Sequence, residues 1–114
     1  MNDDYEKYLD EDGYPTEEAL NLIDNWDMDN INGLFVFVKN LWWSPDWGWK
    51  EEVEESNGRE VKIYSISTGG WSGNEELIRH LKKKELFWEM CLLSYRRGGH
   101  YKFDDRYWKY VGSK

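Results

Sequence analysis

One cysteine, two prolines and two histidines in 114 residues exclude several kinds of protein. Cys91 has no partner within the chain, so no internal disulfide forms. That argues for a reducing compartment and against a disulfide-held secreted scaffold. One cysteine and two histidines do not close a zinc site without carboxylates, and no metal-ligand spacing is present. No cofactor or metal is expected. No apolar run approaches the roughly 20 residues that cross a bilayer. Met1-Asn2-Asp3-Asp4 starts with neither a basic nor an apolar stretch, so the sequence predicts no signal peptide, no membrane association and a cytoplasmic location.

Aliphatic side chains are also scarce. Eight Trp, eight Tyr and four Phe take their place. Each aromatic ring buries a large area, so a few of them can build the core of one small domain.

The net charge of −8 is uneven. Residues 1–30 carry eleven carboxylates and one lysine, whereas residues 31–114 carry twelve carboxylates and fourteen basic groups. An acidic front on a nearly neutral body repels phosphates, so no direct nucleic-acid binding is expected there. A basic partner is favoured, although such charge also serves solubility alone.

Residues 1–14 read as an acidic arm and 15–114 as a single α+β domain. Thr16 caps a helix over 17–26, with Glu17 and Glu18 in its first turn. Asp29 or Asn30 caps the next helix. Ile31, Leu34, Phe35, Val38, Leu41 and Trp42 keep 3–4 spacing, which favours a helix over 31–42 antiparallel to the first. Asn57-Gly58 marks a hairpin of about 47–55 with 60–66. A helix over 75–84 follows, with Ser72 and Glu75 in the capping-box pattern and Asn74 as another cap. Phe87 to Tyr95 reads as a buried strand that turns at Arg96-Arg97-Gly98-Gly99 and returns over His100 to Asp104. The tail with Tyr107, Trp108 and Tyr110 continues as strand or short helix. The order α-α-β-β-α-β-β implies an antiparallel sheet of about four strands with helices on one face.

Two glycine-rich loops are the best candidates for ligand chemistry. Gly69, Gly70, Trp71, Ser72, Gly73 and Asn74 join a strand to a helix N-terminus, where N–H groups and the helix dipole favour anions. They match neither named phosphate-binding glycine fingerprint, and a simple turn with a cap uses the same residues. Arg96 and Arg97 can fork onto phosphate or carboxylate, and His100 adds a titratable donor. If the loops share one end of the sheet they form one anion pocket, with Trp71 as a stacking surface. His80 reads as an exposed helix residue and Cys91 as core. Trp43, Trp47 and Trp49 lie in a segment richer in tryptophan than a small core easily buries, which suggests a contact surface.

The segments Ser67-Thr68-Gly69-Gly70-Trp71-Ser72-Gly73-Asn74-Glu75 and Arg96-Arg97-Gly98-Gly99-His100-Tyr101-Lys102-Phe103, with Phe87-Trp88 between them, resemble small bacteriophage- and prophage-encoded proteins that have no established activity. The resemblance covers residues 15–104. It implies a mobile-element origin, action on host machinery including defence systems, and the host cytoplasm as location.

Two functions follow. In the first, Asp3, Asp4, Glu6, Asp10, Glu11 and Asp12, with Trp43, Trp47 and Trp49, bind a basic nucleic-acid-handling host protein and inhibit it by mimicking phosphate charge. Such binding is salt-sensitive and weakens when residues 1–14 are removed. In the second, the two glycine loops bind a nucleotide or phosphate ligand. No nucleophile–base pair is visible in the sequence, which weighs against an enzyme. The sequence sets no oligomeric state.

Overall fold

The computed structural model describes residues 7–107. Helix α1 (Glu17–Asp24) starts where Thr16 Oγ1 accepts from the Ala19 N–H at 3.3 Å. A single 3-10 turn, Met28–Asn30, leads into α2 (Ile31–Leu41). Asn30 caps α2 by accepting from the Gly33 N–H at 3.1 Å. Leu34, Phe35, Val38 and Leu41 are buried along one face, so the 3–4 spacing does identify a helix. One short turn of helix, α3 (Pro45–Gly48), precedes strand β1 (Trp49–Ser56).

Strands β1 and β2 (Arg59–Ser67) form the expected hairpin. Asn57 and Gly58 both adopt positive φ, 54° and 78°, as a type I′ turn requires. Helices α4 (Ser72–Lys83) and α5 (Glu85–Cys91) follow, then β3 (Leu92–Arg96) and β4 (His100–Asp104). All pairings are antiparallel, in the spatial order β1-β2-β4-β3. The chain is an α+β domain with a four-stranded antiparallel sheet.

The core lies between the helices and one face of the sheet, and it is aromatic. Phe35 stacks on Tyr64 with ring centroids 3.8 Å apart, and Phe87 meets Phe103 at 5.6 Å. Trp42 meets Trp49 edge-on at 5.5 Å. Burial pushes the Tyr64 phenol up to about 12, despite the opposing hydrogen bond from Asn32. Asn32 also donates to Asp105, whose other oxygen accepts from the Lys62 N–H at 2.9 Å. Asp105 is thereby a fully buried anchor for the end of the sheet.

Several local expectations need correction. The segment 87–95 is not one strand. Phe87 and Cys91, four residues apart, are both fully buried, which is a helical repeat, and the strand starts only at Leu92. The run was too short for its apolar pattern to separate the two. Helix α4 begins at Ser72 rather than at 75, and no side chain caps it. The main helical neighbour of α1 is α4, not α2. His80, expected on the surface, has a side chain only 13% exposed, and its Nδ1 lies 2.7 Å from Asp24 Oδ1 on α1.

Residues 7–14 lie against the domain. The Thr16 N–H donates to the Tyr8 carbonyl at 2.9 Å, Leu9 bridges Pro15, and Tyr8 packs edge-on against Phe37 at 5.1 Å. The expected positions of Asp3, Asp4 and Glu6, and of Trp108 and Tyr110 in the tail, lie outside the described residues.

Candidate anion-binding groove

The sheet has one face against the helices and one face open at the end where its two glycine loops meet. Alternation along the strands fixes which side chains share the open face. Trp49, Tyr64 and Phe103 point into the core, so Lys50, Ser65 and Lys102 point the other way. The register pairs Lys50 with Ser65, Ser65 with Lys102, and Lys102 with Ser94. These four residues therefore form a row across all four strands. Two residues along, Ser67 pairs with His100 and His100 with Arg96, which makes a second row.

The two rows floor a groove of about 470 Å³, which Trp47 and Gly48 help to line. Lys50, Arg96 and Lys102 are exposed and make no ion pair with any described residue. The carboxylates of this face start one row further from the loops, where Glu52 and Asp104 flank Ile63 in register, and Glu54 lies beyond them. Glu54 and Asp104 both pair with Arg106 there. Burial pushes the Asp104 carboxyl up, against the lowering effect of its bonds to Arg106. The open face is thus cationic near the loops and acidic at the far end, although the whole chain is strongly acidic.

The loops converge through the backbone. The Thr68 N–H donates to the Gly99 carbonyl at 3.0 Å, which joins the end of β2 to the β3–β4 turn. Gly99 has φ of 81°, and any Cβ there would collide with the Thr68 hydroxyl. Glycine is required at that position by both conformation and space.

The sequence-predicted site residues divide into three groups. Arg96 and His100 line the groove, and Arg97 sits exposed at the turn tip beside it. Gly69 and Gly70 form the adjoining turn with φ of 64° and 74°, and Gly69 lies under the six-membered ring of Trp47. The remaining four serve structure. Asn74 is 1% exposed and clamps the loop: its Oδ1 accepts from the Trp43 N–H at 2.8 Å, and its Nδ2 donates to the Trp43 and Thr68 carbonyls. Gly73 is buried against the Trp71 indole. Ser72 is hydrogen-bonded to the Tyr14 hydroxyl at 2.9 Å. Trp71 is stacked between Tyr14, at 4.9 Å, and Trp43, at 5.2 Å, so its faces are already occupied. Trp71 and Asn74 thus serve the loop's structure, and the cationic groove lies on the sheet beside the start of α4.

The tryptophan-rich segment also divides. Trp49 is 5% exposed, and its indole N–H donates to Glu51 at 2.8 Å, so it belongs to the core rather than to a contact surface. Trp43 and Trp47 are 51% and 60% exposed.

Sequence reasoning missed Lys50, Ser65, Ser94, Lys102 and the role of Trp47, although Ser67 lay at the start of its candidate loop 67–74. It also missed a close pair: Ser67 Oγ lies 2.7 Å from His100 Nδ1. The only signal for these residues was strand alternation, which becomes informative once the register between the two hairpins is known. No carboxylate of a described residue pairs with the His100 ring, so the Ser67–His100 pair lacks the third, orienting group of a hydrolytic triad. Among the described residues, no three His, Cys, Asp or Glu side chains are grouped to hold a metal ion, and no helix is long and apolar enough to cross a membrane.

Fold and groove define a small α+β domain with a cationic, serine-lined surface on the open side of its sheet. The chain matches no family model, no curated protein and no solved structure.

Proposed function

We propose that the protein is a binding module for a phosphate-bearing ligand, held in the groove between Trp47 and Arg96. One observation carries this reading: Lys50, Lys102 and Arg96 stand together on one sheet face with Ser65, Ser67, Ser94 and His100, and no described carboxylate pairs with the three cations. Unpaired cations side by side repel one another, and an anion relieves that repulsion while the serine hydroxyls donate to its oxygens. Titration with pyrophosphate, followed by calorimetry, tests it. Binding is expected, and the exposed-site variants Lys102→Glu and Arg96→Glu should abolish it without unfolding the domain. Absence of heat with the native chain overturns the reading.

A second reading rests on the front of the molecule. Glu11 and Asp12 are exposed and form no ion pair with a described residue. The Tyr14–Trp71–Trp43 stack connects this acidic turn to an exposed indole. Together they suit a basic host protein of the nucleic-acid-handling kind, blocked by charge mimicry as expected of a mobile-element product. Removing residues 1–14 would also strip Tyr8 and Leu9 from the core, so the informative variant is Glu11→Gln with Asp12→Asn. Asp10 stays, because its carboxylate accepts from the Asp12 and Tyr14 N–H groups. Host-protein capture that weakens with salt and with this double variant supports the reading, and capture indifferent to both refutes it.

A further inference from the structure

We infer that the ligand of the groove is a nucleoside diphosphate, with its base on Trp47 and its phosphates spanning Lys50, Lys102 and Arg96. The inference rests on the anion-binding reading and adds the chemical class.

Three observations lead to it. The first is the spread of charge. Lys50 and Lys102 occupy the same row two strands apart, and Arg96 lies one strand further in the next row. With strands about 4.8 Å apart, the two lysine Cα atoms stand roughly 10 Å from each other. One phosphate does not reach all three cations, whereas linked phosphates do. The second is size, since about 470 Å³ falls within the span of small-molecule sites. The third is Trp47. Its indole is 60% exposed at one end of a groove whose other exposed lining side chains are polar. It does not hang free. Its ring rests on Gly69, and its backbone N–H donates to the Ser44 carbonyl at 3.2 Å. A positioned, solvent-facing indole beside cations offers a stacking surface, and stacking accepts any base. An acyclic or sugar phosphate would leave it unused.

The test compares ADP, adenosine and pyrophosphate by calorimetry on the full chain, with Trp47→Ala in parallel. Trp47 is a surface residue, and its near-ultraviolet signal can be compared with that of the native chain to verify folding. ADP should bind at least tenfold more tightly than pyrophosphate, and Trp47→Ala should remove that advantage. Equal affinity for ADP and pyrophosphate overturns the nucleotide assignment and leaves the anion site standing. Failure of both to bind overturns the assignment and the site together. A thymidine oligonucleotide that binds far more tightly than ADP, with a steep salt dependence, also overturns it, by making the ligand a single-stranded polymer.

Discussion

The Thr68 N–H and the Gly99 carbonyl, 3.0 Å apart, hold two glycine turns together that are about thirty residues apart in sequence. The bond lies next in the chain to Ser67 and His100, which line the groove. It follows that Gly99→Ala, which places a methyl against the Thr68 hydroxyl at a backbone φ of 81°, destabilises the domain by about 1–3 kcal/mol. Chemical denaturation measures it. A midpoint equal to that of the native chain would mean that the two turns separate at no cost.

Asn74 joins three backbone groups of two segments, and it is buried. Asn74→Ala leaves them without partners, at a cost of about 1–3 kcal/mol. Asn74→Asp should be worse at neutral pH, because it turns an acceptor toward the Trp43 and Thr68 carbonyls. The ranking of the two variants in urea separates a hydrogen-bonding role from one of packing.

Phe35 is central to the core and touches Tyr64, Phe87 and Phe103. Phe35→Ala should cost about 3–5 kcal/mol, a large share of the stability of a domain this small. Loss of the near-ultraviolet aromatic signal at room temperature is the expected readout, with Phe35→Leu retaining it.

The Glu51 carboxyl is held below its ordinary value of 4.5. Burial acts in the opposite direction, but the Trp49 indole N–H, Lys62 and Lys39 outweigh it. A depressed carboxyl stabilises the fold above its unfolded-state value, and that contribution disappears as pH falls through its folded value. Glu51→Gln should therefore lower stability at neutral pH and flatten the acid side of the stability profile. An acid limb of unchanged slope would contradict the pairing.

Burial pushes the Cys91 thiol well above its ordinary value, and its side chain is fully enclosed. The native protein should react with a thiol reagent only at the rate at which it opens, and promptly in denaturant. Fast reaction without denaturant would place the α5–β3 junction in the solvent.

What the chain revealed in advance was local. Thr16 and Asn30 announced their caps, Asn57-Gly58 its turn, and Ile31 to Leu41 its helix, because each depends on neighbours within a few residues. Phe87 to Tyr95 was ambiguous, since a short apolar run suits helix and strand alike. The loops were recognisable as candidates, but the residues beside them were not. Lys50, Ser65, Lys102 and Ser94 become neighbours only through the registers of two hairpins laid edge to edge. The sequence by itself determined the class of fold, the aromatic core and the uneven charge, because composition and short-range pattern carry them. The tertiary structure alone decided that a net-acidic chain presents a cationic groove, and that Trp71 and Asn74 hold the structure while Trp47 faces the solvent. The physical reason is that strand pairing and side-chain burial join residues far apart in the chain, and no local pattern records which ones meet.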